Sequence, residues 1–183
     1  INREAIGFHV PGMWDKIIDI EECHLQAEPS NSIRLAIKNF AVENQLAFYD
    51  PRNQTGFLRT IMIRTASSGE VMVLVQFFYE DIQKRTLLLD YIQKNFPSVS
   101  SLLYVVNPKG NDTFYDLEVH CFHGKEYILE TMEDLTFKIN AKSFYQTNSK
   151  QAYELYKIVR EFADLQGNEL VYDLYTGLGT IAQ

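Results

Sequence analysis

Phe57-Leu58-Arg59-Thr60-Ile61-Met62-Ile63-Arg64-Thr65 and Val71-Met72-Val73-Leu74-Val75-Gln76-Phe77-Phe78 flank the turn residues Ser67-Ser68-Gly69-Glu70. Two β-branched, apolar runs at that spacing predict a hairpin. Upstream, Ser30 to about Ala47 reads as a helix, with Ile33, Ile37, Phe40 and Ala41 on one stripe and Pro29 just ahead. Ala5 to Val10 and Lys16 to Ile20 read as two short strands joined by Pro11-Gly12. Downstream, Asp81 to Asn95 reads as a second helix with Leu88, Leu89, Ile92 and Phe96 inward, stopped by Pro97. Short strands are expected at Leu102–Val106, Asp116–Phe122, Tyr127–Glu130 and Leu135–Ile139. Strands and helices mix without strict alternation, which predicts an α+β domain with a mainly antiparallel sheet.

The pattern changes after Ile139. Ser149 to Leu165 reads as a helix with Ala152, Leu155, Tyr156, Val159 and Ala163 on its stripe and Gly167 as its stop. A strand Glu169–Leu174 and the turn Gly177-x-Gly179 follow, the order in which a Rossmann-like α/β domain begins. The expected division is therefore a central domain over 1–140 and the start of an α/β domain over 141–183. Glycines at such a turn let a ligand lie against bare backbone. With Ala182 behind them, Gly177 and Gly179 meet the loose form of the dinucleotide fingerprint. Asp173, just before the turn, suits a ligand that carries a cation, such as S-adenosylmethionine. From the spacing alone a methyl-donor site, a nucleotide site and a structural turn all stay open. In the connector before the helix, Asn148 and Gln151 make a capping arrangement, which leaves Gln146 free for a ligand. Phe144 and Tyr145 are core residues or stacking partners for an unpaired base.

With 46% hydrophobic and 13% aromatic residues, the 183-residue chain can bury a sizeable core. Its net charge of −7 argues against electrostatic grip on nucleic acid by this piece alone, while allowing a local basic patch. Arg52, Arg59, Arg64, Lys109 and Lys142 are the candidate phosphate contacts. No apolar run reaches the roughly 20 residues of a membrane span. Cys23 and Cys121 form no disulfide framework, which fits a cytoplasmic protein. His24, His120 and His123 lack metal-ligand spacing. Ile1 in place of Met, and a chain that ends inside the glycine motif, are expected of a piece of a longer protein.

Taken together, Phe144 to Thr180 resembles the RNA uracil-5-methyltransferases, enzymes that make 5-methyluridine in rRNA and tRNA. Ile6-Gly7-Phe8-His9, Ile18-Asp19-Ile20-Glu21-Glu22-Cys23, Leu58 to Thr65 and Gly69 to Val73 are similar to that family's central domain, so nearly the whole chain is covered. The resemblance implies S-adenosyl-L-methionine as cofactor, with Gln146, Tyr175 and Thr180 contacting the donor and Gly177 and Gly179 shaping its turn. It implies that Phe144 faces the target base. It also implies that Cys23 matches the fourth cysteine of a [4Fe-4S] cluster found in many members, although a lone cysteine is usually a small buried hydrophobe. Thr176 stands where cysteine is common, and His9 where arginine is frequent.

In that family a cysteine thiolate adds to C6 of a flipped-out uracil, C5 takes the methyl group, and a carboxylate base removes the C5 proton. Neither Cys23 nor Cys121 matches the nucleophile, which the resemblance places downstream together with the base. The expected function is thus a fragment, inactive alone, of an RNA uridine C5-methyltransferase. The alternatives are a non-catalytic RNA-binding module and a small-molecule methyltransferase of the same broad fold.

Overall fold

The computed structural model describes residues 4–181. Its first unit is a hairpin of β1 (Gly7–Val10) and β2 (Met13–Asp19), turned by Pro11-Gly12. Helix α1 (Ser30–Glu43) follows and presents Ile33, Ile37 and Ala41, all fully buried. Next come β3 (Leu58–Thr65) and β4 (Val71–Phe77), antiparallel from Leu58↔Phe77 to Thr65↔Val71, with Ala66 N–H donating to Glu70 C=O at 3.0 Å across the turn. The predicted hairpin is formed.

Helix α2 (Ile82–Asn95) starts at Asp81, whose carboxylate accepts the Lys84 N–H at 3.0 Å. It carries the chain across to β5 (Val99–Val106), which pairs parallel with β4. A parallel pair needs such a crossover. Strand β6 (His120–Gly124) then pairs antiparallel with β5, so the sheet runs β3-β4-β5-β6. Two of its three pairs are antiparallel, in line with the mainly antiparallel expectation, and the β4–β5 pair is parallel. The strand expected at Asp116–Phe122 is displaced to β6, because the backbone ahead of it forms a turn in which Leu117 N–H donates to Phe114 C=O at 3.0 Å.

All seven residues of β4 are buried. Alternation sends Val71, Val73, Val75 and Phe77 toward α1 and α2, where they meet Ile33, Ile37, Leu88, Leu89 and Ile92. Met72 and Leu74 face the other way, with Leu103 and Val105, against a second hairpin of β7 (Tyr127–Met132) and β8 (Leu135–Asn140). The sheet is thus the middle layer, covered by two helices on one face and a hairpin on the other. The β3–β4 turn clasps that hairpin: Leu129 N–H donates to Glu70 Oε2 at 2.8 Å, Ser68 Oγ to Leu129 C=O at 2.5 Å, and Ser67 N–H to Glu130 Oε1 at 3.1 Å.

Helix α3 (Ser149–Ala163) begins where expected, with Asn148 Oδ1 accepting the Gln151 N–H at 3.1 Å. It ends at Ala163, with Asp164 in the left-handed conformation at φ 44°, so Gly167 lies beyond the stop assigned to it. The expected inward stripe is also corrected. Only Ala152 is buried, while Leu155 is 53% exposed and Phe162 85% exposed. The helix is held from its polar side by Glu133 in the β7–β8 turn, which takes both terminal nitrogens of Arg160 at 2.7 and 3.0 Å and the Tyr153 hydroxyl at 2.9 Å. The strand expected at Glu169–Leu174 is not formed. A strand needs a neighbour for its N–H and C=O groups, and no described strand lies beside this one. Glu169 instead folds back to accept the amides of Gln166, Gly167 and Asn168 at 2.9–3.1 Å.

Candidate functional site

The connector and the glycine turn are far apart in sequence but rest on one apolar surface. Tyr145 of the connector and Leu178 of the turn both pack on the cluster formed by Met72, Leu74, Leu103, Val105, Ile128 and Ile139. Burying Tyr145 pushes its phenol up to about 12, first through desolvation and then through the Glu130 charge. Its neighbours behave differently. Phe144 is 75% exposed and Gln146 is exposed, so both side chains are open to a ligand.

The turn is shaped by three left-handed residues in a row of five: Tyr175 at φ 63°, Gly177 at 55° and Gly179 at 78°. At Gly177 the backbone angle alone demands glycine, since an added Cβ would meet nothing closer than 3.9 Å. Gly179 N–H donates to Thr176 C=O at 2.8 Å, closing the turn. Asp173 is half-buried, and its Oδ2 accepts the Thr176 hydroxyl at 2.5 Å, leaving Oδ1 for another donor. Thr176 therefore orients the one carboxylate at the turn. Thr180 Oγ1 donates to the Tyr156 hydroxyl at 3.3 Å, which ties the turn to α3, and Tyr175 projects fully into solvent. Ala182 lies outside the described residues.

Gln146, Asp173, Tyr175, Gly177, Gly179 and Thr180 are thus carried by two segments that each pack a residue, Tyr145 or Leu178, on the same apolar cluster. An exposed amide, a half-free carboxylate and a backbone turn without Cβ atoms fit a donor with an ammonium group and a nucleoside. In that fit Gln146 and Asp173 would hold its polar groups, and the group would supply a methyl cation equivalent on sulfur.

The five basic residues expected at phosphates are engaged within the chain. Arg52 pairs with Asp15, and Lys109 with Asp116 at 2.5 Å. Arg59 lies 4.5 Å above the Tyr49 ring and donates to Asn107 C=O at 2.9 Å. Arg64 donates to Ser143 C=O at 2.8 Å, and Lys142 to Leu117 C=O at 2.7 Å. These cations hold loops together, and single-sequence reading has no signal for that.

Both cysteines are free. Partial desolvation, and then Glu126, push the Cys121 thiol up, the opposite of what a nucleophile needs. Cys23 sits in a segment held by α1: Asn31 accepts its N–H at 2.8 Å and donates to its C=O at 3.3 Å, while Arg34 donates to Glu21 C=O at 2.9 Å. An iron–sulfur cluster needs four thiolates. No group of three or more His, Cys, Asp or Glu side chains placed for a metal ion occurs among the described residues, so these residues do not form a cluster site. No described helix is long and apolar enough to cross a membrane.

No family model matches the chain. An uncharacterized RNA methyltransferase of Porphyromonas gingivalis is 58% identical over 98% of this chain and 39% of that protein. Another from Bacteroides thetaiotaomicron is 54% identical over 97% of this chain and 40% of that protein. The chain is related to these RNA methyltransferases along nearly its whole length. It spans about two fifths of the length of these curated relatives. Among solved structures, the tRNA (uracil-54, C5)-methyltransferase of Pyrococcus abyssi, bound to S-adenosyl-L-homocysteine, superposes with a TM-score of 0.77 at 30% identity. That likeness covers 100% of this chain and 42% of the other. The mixed layers described above are therefore an arrangement that an RNA methyltransferase uses.

Proposed function

We propose that residues 1–140 are the central domain, and residues 141–183 the opening of the Rossmann-like donor domain, of a cytoplasmic, S-adenosylmethionine-dependent enzyme that methylates C5 of a uridine in rRNA or tRNA. The observation that carries this reading is the likeness over the whole chain to a tRNA uracil-C5 methyltransferase with the demethylated donor bound. Three features of the chain support it. The exposed Phe144 offers a ring to an unstacked base, Gln146 and Asp173 offer polar groups to the donor, and the Gly177–Gly179 turn leaves room for a nucleoside.

In this reading the described residues bind and orient, while the covalent steps belong elsewhere. C5 of uracil becomes nucleophilic only after a thiolate adds at C6. Cys121, with its raised thiol pKa, is unsuited to that addition, and Cys23 has its segment tied to α1. The enzyme's cysteine and its proton-removing carboxylate are accordingly assigned to sequence outside this chain.

The test is methyl transfer from labelled S-adenosylmethionine to uridine-containing rRNA and tRNA. The full-length protein is expected to yield 5-methyluridine, and this chain alone to yield none. Label at another base or position in the full-length assay overturns the C5 assignment, and turnover by the isolated chain overturns the division of labour.

A further inference from the structure

A second feature lies away from the glycine turn. A cleft of about 300 Å³ opens between the β3–β4 turn, the β7–β8 hairpin and the first turn of α3, its wall including Ser67, Glu130, Met132, Lys150, Tyr153 and Glu133, whose carboxylate is taken up by Arg160. That volume is at the small end for ligand sites and suits a single nucleotide.

Glu130 forms part of its wall and is only 2% exposed. Its Oε1 accepts both the N–H and the hydroxyl of Ser67. Its Oε2 accepts no hydrogen bond from any described residue. That oxygen keeps some access to the cleft, where a ligand hydroxyl or amine could donate to it in place of water. Across the cleft, Lys150 is exposed and has no ion pair among the described residues. It occupies the first turn of α3, which contains no acidic residue. A lysine there faces the positive end of the helix dipole, an unfavourable placement that an anion would relieve. Of the first amides of α3, only that of Gln151 is capped by Asn148. Met132 and Tyr153 supply an apolar flank.

One wall thus asks for a hydroxyl donor and the other for an anion. We propose that the cleft is a ribonucleotide subsite, in which Glu130 accepts the ribose 2′-hydroxyl and Lys150, with the uncapped amides of α3, takes the phosphate. The site reads RNA against DNA, because only the 2′-hydroxyl distinguishes the two sugars. The assignment rests on RNA being the substrate, and it adds a contact for a nucleotide flanking the target.

The chain is titrated with uridine 5′-monophosphate, its 2′-deoxy counterpart and uridine, with backbone amide shifts as the readout. The ribonucleotide is expected to bind about tenfold tighter than the deoxynucleotide, the worth of one hydrogen bond to a charged group. Shifts are expected at Thr131 and Lys150. Lys150→Ala is expected to weaken both nucleotides equally and leave uridine unchanged. In Glu130→Gln the Ser67 N–H keeps the amide oxygen and an uncharged NH₂ faces the cleft, so the preference for ribose is expected to shrink from about tenfold to about threefold. Lys150 is exposed, so its variant keeps the test readable if Glu130→Gln does not fold. Equal binding of the two sugars by the parent chain, or shifts that avoid the cleft, overturns the assignment. Displacement of the nucleotide by a short uridine oligoribonucleotide, and not by its DNA analogue, assigns the site to RNA. A lack of displacement leaves only a free-nucleotide site and overturns the RNA assignment. In the full-length protein, methyl transfer with an unchanged KM for RNA in Glu130→Gln rejects the subsite but spares the methyltransferase reading. Ribose-selective binding without methyl transfer does the reverse.

Discussion

Strand β4 and helix α3 are both strongly patterned, and they end in opposite environments. Every residue of β4 is buried, whereas α3 buries only Ala152 and leaves Leu155 and Phe162 largely in water. The difference teaches that periodicity reports which face of an element is apolar, and says nothing of what will cover it. β4 finds α1 and α2 on one side and the β7–β8 hairpin on the other. α3 is attached chiefly through charge, by the Glu133 carboxylate on Arg160 and Tyr153.

The contrast can be broken by mutation. Leu74→Ala, at a fully buried position of β4, is expected to cost about 3 kcal/mol by removing packed atoms and leaving a cavity, and to lower the denaturation midpoint. A loss as small as that of a surface change would mean that the sheet is not the shared core. Next in size comes acidification. Bonds from Arg160 and Tyr153 hold the Glu133 carboxyl below the usual carboxylate range. Its stabilising contribution is therefore complete above the ordinary glutamate pKa, and fades as pH falls from there through the depressed native value. Hydrogen exchange should show α3 amides opening in that window while β4 stays protected, and Glu133→Gln should remove the pH dependence. Simultaneous opening of both would show that α3 belongs to the same cooperative unit. The smallest effect is expected for Val159→Ala, on the exposed stripe of α3, within about 0.5 kcal/mol in thermal melts of this chain.

Much of the central layer was legible. The stripes Ile33-Ile37-Ala41 and Leu88-Leu89-Ile92, and the turn at Ser67–Glu70, follow from local periodicity and turn chemistry, and each is where the pattern placed it. The parallel pairing of β4 with β5 was not legible, because antiparallel and parallel strands share one composition. The clasp was missed as well. Ser67, Ser68 and Glu70 look like any solvated turn, and their partners lie about sixty residues further on. For the site, the glycine turn was visible because positive φ selects glycine. The occupied arginines and the cleft at Glu130 depend on which loops meet in space, so no window of sequence contains them.

Arg64 of β3 grips the carbonyl of Ser143, the residue just before Phe144, and burial pulls its guanidinium down without discharging it. The stretch between β8 and α3 is therefore geared to the sheet and does not behave as a slack tether. Torque applied to the sheet would be delivered through the Arg64 guanidinium to the backbone beside the exposed Phe144 ring.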